Sequence, residues 1–111
     1  MERMSRGEFV TIALQGDFGK PRPALIIQSD PFSAHATVAV LLVTTTLVEA
    51  PLFRIGVQPS ETNGLRKPSQ IMVDKIVTVK RDKLGAAIGK ASDELMIEVS
   101  RSLAVFIGIV R

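Results

Sequence analysis

The stretch TVAVLLVTTT, Thr37 to Thr46, decides the architecture. Its middle, Val38 to Val43, is wholly apolar, and it runs into three threonines. A short apolar run of this kind reads as a central strand covered on both faces. Working outward, GEFVTIAL at Gly7–Leu14 predicts a strand from its Phe, Val, Thr and Ile content. QGDFGKP at Gln15–Pro21 follows as a turn-rich loop with two glycines. ALIIQ at Ala24–Gln28 predicts a second short strand, ended at Ser29–Ala36 by the turn signal Asp30-Pro31.

Beyond the central run, Leu52–Val57 predicts a short strand, and the polar stretch Gln58–Pro68 the longest loop. SQIMVDKIVTVK at Ser69–Lys80 is strand-like. Asp is a poor strand residue, so Asp74-Lys75 predicts a bend or a change of strand partner. Leu84–Gly89 predicts one more short strand. Then the period changes. Leu95, Met96, Val99, Leu103, Phe106, Ile107 and Val110 follow helical spacing. Ser92 predicts the N-cap, with Asp93 and Glu94 in a first turn whose dipole favours carboxylates. Val105 and Ile109 fall off the stripe, so the helix end is apolar nearly all round and is expected to meet another chain.

Short strands with irregular loops, then one helix, give an α+β plan. The simplest form is a small curled antiparallel sheet or barrel closed by a C-terminal helix. One domain over residues 1–111 fits the 111-residue length. With 46% hydrophobic and 23% charged residues the composition is globular, which excludes a disordered, collagenous or low-complexity chain. The mean hydropathy of +0.27 leaves a surplus of apolar surface for a partner or a second copy. There is no cysteine, which excludes a disulfide scaffold, a thiolate nucleophile and a Cys-based zinc site. A single histidine, His35, excludes a two-histidine mechanism within one chain, and it reads as a surface loop residue. Met1–Val10 has no apolar run of signal-peptide length, and no stretch approaches the roughly 18 apolar residues of a membrane span. A cytoplasmic protein is expected.

The net charge of +3 is uneven. Between Arg66 and Lys90 seven bases stand against two acids, Asp74 and Asp82. This excess is either a solvated basic face or a site for an anionic partner such as nucleic acid. Stacking platforms are scarce, with no Trp or Tyr, and only Phe18 among the Phe residues lies in an obvious loop.

Three constellations carry chemistry. In Lys20-Pro21-Arg22-Pro23 each proline biases the residue before it toward extended backbone, so Arg22 sits in a stiffened segment. A preset guanidinium suits a phosphate or a developing phosphorane; alternatively, Arg22 pairs with a carboxylate such as Asp74. Among Thr44-Thr45-Thr46, Thr44 and Thr46 share one face of a strand and Thr45 takes the other. A hydroxyl there donates to a phosphate oxygen, or reflects β-propensity alone. Asp74, inside a β-run, needs a partner or water, and reads as a base, a nucleobase acceptor or an ion-pair partner. No Asp/Glu/His cluster has metal-ligand spacing, and no phosphate loop or nucleophile elbow is present.

Taken together, these segments resemble the MazF/PemK/Kid toxins of toxin–antitoxin pairs over nearly the whole chain. RGEFV at Arg6–Val10 is similar to the family's first strand, and GKPRPALIIQSDPF at Gly19–Phe32 to its RPxLIIQ-D signature. VAVLLVTTT at Val38–Thr46 stands in the place of its apolar strand ending in Thr-Ser. NGLRKPSQIMVDKIVTV at Asn63–Val79 resembles its GL…PSxVxxDQIRTV block, and LGAAIGKASDELM precedes the terminal helix. The resemblance implies an SH3-like barrel with a C-terminal helix, acting as a homodimer. It implies a metal-independent, sequence-selective endoribonuclease on single-stranded RNA, held in check by a cognate antitoxin and needing no cofactor. The 2′-hydroxyl would attack the adjacent phosphorus, leaving 2′,3′-cyclic phosphate and 5′-hydroxyl ends. Arg22 and Thr44 match the family's catalytic arginine and threonine. Asp74 matches an aspartate used in RNA binding or catalysis, and Lys20, Phe18 and Lys75 are expected as further RNA contacts.

The chain also departs from the pattern. QGDFGK lacks the Glu-Gln pair of many members. Lys75 and Val77 stand where Gln and Arg are frequent, and Met72 replaces an arginine. Two rival readings are a gyrase-poisoning toxin of the CcdB type and a non-catalytic SH3-like binding module. CcdB-type toxins use a Trp near the C-terminus; this chain ends FIGIVR and has no Trp.

Overall fold

The structure, a computed structural model, describes residues 4–13 and 20–111. These residues form six strands and one α-helix: β1 (Glu8–Ile12), β2 (Arg22–Ile26), β3 (Thr37–Thr44), β4 (Arg54–Val57), β5 (Ser69–Lys80), β6 (Leu84–Lys90) and α1 (Asp93–Phe106). The strands form one antiparallel sheet in the order β4-β5-β3-β2-β1-β6. The sheet is barrel-like without being hydrogen-bonded shut, and β4 and β6 are its edges. The helix among the described residues is too short and too polar to cross a membrane.

The Thr37–Thr46 run is the central strand the sequence predicts. Val38 and Val40 enter one apolar cluster, with Val10, Ile12, Ala24 and Ile26. Leu41 and Val43 enter another on the opposite face, with Phe9, Leu25, Ile71, Val73 and Val99. All four β3 residues are buried, so both faces of the strand are covered. At about 1.5–3 kcal/mol per fully buried side chain, this double burial fixes the register of β2 and β3 against slippage.

Several boundaries move for local reasons. β2 starts at Arg22, two residues before the expected start, because Ile12 and Thr11 of β1 pair with Arg22 and Pro23. It ends at Ile26 because the Gln28 side chain takes over the ladder. Its Oε1 accepts from Ala39 N at 3.0 Å and its Nε2 donates to Thr37 O at 3.1 Å. β3 stops at Thr44, where the hydroxyl accepts the Thr46 N–H at 3.0 Å and turns the chain. β4 loses its first two expected residues to a turn in which Phe53 N and Arg54 N both bond Ala50 O. Leu14, the expected end of β1, lies outside the described residues.

β5 keeps its expected bounds, and the interruption at Asp74-Lys75 is a wide bulge. Leu41 faces Ile76 while Val43 faces Ile71, so β5 spends five residue steps where β3 spends two. The extra residues bend β5 between its pairing with β4 and its pairing with the start of β3.

Ser92 caps α1 by accepting from Leu95 N at 3.1 Å. Val99 is buried, and Leu95, Met96 and Leu103 pack against the same cluster. Arg6 clasps the helix to the sheet, its guanidinium donating to Ile27 O and Ser100 Oγ. The expected stripe continues to Val110, but the helix ends at Phe106, and Gly108 takes a left-handed φ of 84°. Phe106, Ile107 and Val110 are exposed there, with Val105 and Ile109, because no described element of the single chain extends under them.

Candidate active site

The site is built on the open ends of β2 and β3. Ala24 pairs with Leu42, Leu25 with Leu41 and Ile26 with Val40. The pairing stops at Ala24 and Leu42, and Arg22 and Thr44 stand two residues beyond it, at the start of β2 and the end of β3. By alternation Arg22 shares the face of Ala24 and Ile26, and Thr44 that of Val40 and Leu42, so both stand on one face at the same end of the β2–β3 pair. Both strands are locked just behind them by fully buried Leu25 and Leu41. Thr44 Oγ1 is oriented by the Thr46 N–H it accepts, which leaves its own O–H to donate outward.

Ile71 and Val73 point into the core, so Gln70 and Met72 alternate to the other side, that of Thr44, and Asp74 follows them in the bulge. The carboxylate does not pair with Arg22, as one sequence reading had it. Its Oδ2 lies 3.9 Å from Lys75 Nζ, and its Oδ1 is buried with no hydrogen-bond partner. A buried acceptor without a donor is costly. Lys75 and Lys20 are exposed, and Phe18 lies outside the described residues.

Gln70 was not legible as a site residue. It pairs with Thr44 across β3–β5 and with Gly56 across β4–β5. Its side chain accepts from Val48 N (3.1 Å) and Arg54 Nη1 (3.2 Å) and donates to Val48 O (2.8 Å). It thus ties the loop after β3 to the floor beside Thr44. A lone amide in an otherwise apolar strand, SQIMV, was the available signal.

The basic segment is dispersed. Arg66 and Lys67 lie near the Thr44 end, with Thr45 and Pro21. Lys80 pairs with Thr37, about 23 Å away along β3 at its seven residue steps. Arg81 donates twice to the carbonyl of the exposed His35, and Lys90 pairs with Glu8 at the start of β1.

Known proteins share both the sequence and this fold. A probable endoribonuclease MazF of Mycolicibacterium smegmatis is 44% identical over 107 residues, spanning 96% of this chain and 98% of that one. Endoribonuclease MazF6 of Mycobacterium tuberculosis is 36% identical over 86 residues, 76% of this chain and 75% of its own. Among solved structures, a mycobacterial endoribonuclease in complex with its cognate antitoxin superposes with a TM-score of 0.82 at 25% identity, covering 97% and 98% of the two chains. The sequence profile of the PemK-like, MazF-like toxins of type II toxin–antitoxin systems matches residues 5–107. That match takes in every described residue of the Arg22–Thr44 mouth, and the chain belongs to this toxin family.

Proposed function

We propose that this toxin is a metal-independent, sequence-selective endoribonuclease that cuts single-stranded RNA through attack of the substrate's own 2′-hydroxyl. What supports this reading is that Arg22 and Thr44 fall on one face at the same end of the β2–β3 pair. The nucleophile is internal to the substrate, so the protein has only to orient it and to stabilise charge. The 2′-oxygen bonds to phosphorus and the bond from phosphorus to the 5′-oxygen breaks. The 2′-hydroxyl proton leaves to an acceptor and a proton is delivered to the departing 5′-oxygen. Arg22 holds the non-bridging oxygens as the phosphorane forms, and Thr44 donates a second hydrogen bond. Asp74 accepts from the ribose or from a base. Lys20 and Lys75 contact the RNA backbone.

The toxin works in the cytoplasm as a homodimer, and a cognate antitoxin lies over the RNA-binding face. The exposed Val105, Phe106, Ile107, Ile109 and Val110 support a chain-to-chain contact, since so much apolar surface in one place is unusual for a monomer. The test is incubation of a long transcript with purified protein in EDTA, followed by identification of the new ends. Cyclic phosphate and 5′-hydroxyl ends at a recurring sequence support the reading. Intact RNA with arrest of gyrase, or RNA binding without cleavage, overturns it.

A further inference from the structure

Behind the Arg22–Thr44 mouth, on the opposite face of the same strand ends, lies a groove of about 700 Å³. Its volume falls in the range of about 300–1,000 Å³ usual for ligand sites. Pro21 and Pro23, which flank Arg22, form one wall, and Thr45 forms the rim shared with Thr44. Leu65, Arg66 and Lys67 form the other wall, and none of the described lining residues is acidic.

The turn carrying Arg66 and Lys67 is fixed before any ligand arrives. Buried Asn63 accepts from Leu65 N (2.9 Å) and Ser60 N (3.0 Å) and donates to Gln58 O (2.9 Å). Gly64 has a φ of 71°, and a Cβ on it would stand 1.9 Å from Ile88 O, so the turn is seated against β6. Ser69 Oγ donates to Lys67 O at 2.8 Å and closes the turn from the other side. Two exposed cations are thereby held over an apolar floor.

We propose that this groove is a flanking-nucleotide subsite. Arg66 and Lys67 hold the phosphate next to the scissile one, and Pro21, Pro23 and Leu65 receive the base attached to it. The inference rests on the ribonuclease reading and extends it. In-line attack needs the 2′-oxygen, the phosphorus and the leaving oxygen in a row, which a continuously stacked strand does not provide. The adjoining nucleotide must swing out. Thr44 ends β3 and Thr45, in the bend that follows, lines the groove, so the end of the sheet acts as a wedge. The reacting phosphate stays on the Arg22 side and its neighbour passes to the Arg66–Lys67 side.

The test uses single-stranded RNA bearing a mapped cut site, with each phosphate near the cut replaced in turn by a neutral methylphosphonate. One replacement beside the scissile bond should lower the wild-type kcat/KM about tenfold, and the folded Arg66→Ala/Lys67→Ala protein should show a similar loss on native RNA. Combining the two should cost little more than either alone, because both remove one contact. The slope of log KM against log salt should also flatten, by about 0.7 per phosphate contact removed. Losses that multiply at every position, or a double variant that cuts native RNA like wild type, overturn the subsite. A double variant that cuts normally but escapes its antitoxin assigns the groove to that protein instead. Wild-type protein that cuts no RNA sinks the ribonuclease reading itself, a result distinct from normal cutting without coupling.

Discussion

The two ends of the β2–β3 pair do different work. At one end Leu25, Ile26, Val40 and Leu41 are sealed between two apolar clusters. At the other, three residues on from Leu25 and Leu41, Arg22 is exposed and Thr44 half-exposed. The buried end sets the register and contacts nothing that reacts. The open end adds little burial and inherits its geometry from the locked ladder behind it. Preorganisation here is purchased in the core and used at the mouth, where a small sheet presents a guanidinium and a hydroxyl on one face.

Substitutions can break this division or sharpen it. Leu41→Ala should have the largest effect, a destabilisation of about 2–5 kcal/mol measured by denaturant unfolding, with activity per folded molecule reduced only through loss of register. A mild unfolding change with abolished cleavage would reverse the assignment of the two ends. Arg22→Ala should cost about 3 kcal/mol of transition-state stabilisation, or 10²–10³ in kcat, while the melting curve stays within experimental scatter. Wild-type rates in that folded protein would remove Arg22 from the chemistry. Thr44→Val keeps the strand shape and deletes the donor, so kcat should fall about tenfold to a hundredfold with little change in KM. An equal fall from Thr45→Val would show that the shared face, rather than the strand end, had been misjudged. Ser92→Ala, far from both ends, should lower stability by only about 1 kcal/mol through loss of the helix cap and leave kcat alone.

Most of the fold was readable because its signals are local and repeated. Val38–Val43 announced a doubly covered strand, and Ser92 with Asp93 and Glu94 announced the helix start. What failed to show was what depends on side chains replacing backbone. Gln28 ends β2 early by bonding across to Thr37 and Ala39, and nothing in ALIIQ distinguishes that amide from a strand residue. The site was half legible. The two prolines marked Arg22 and the threonines marked Thr44, and strand alternation puts them on one face at one end of the β2–β3 pair. Gln70 escaped notice because its role is set by three bonds to residues 16 and 22 positions away. The basic run looked continuous in sequence and is scattered in space, since β5 carries its charges from one end of β3 to the other.

The bulge in β5 has a consequence for descent. Elsewhere in that strand, inserting or deleting one residue would turn Ile71 and Val73 out of the core. Between Met72 and Lys75 the chain already holds slack against β3, and Asp74 sits within it. Lineages of this toxin can lengthen, shorten or re-letter that short stretch while the hydrophobic interior keeps its partners. With Asp74 meeting the RNA as proposed, novelty in what is cut would accumulate there without the molecule having to be refounded.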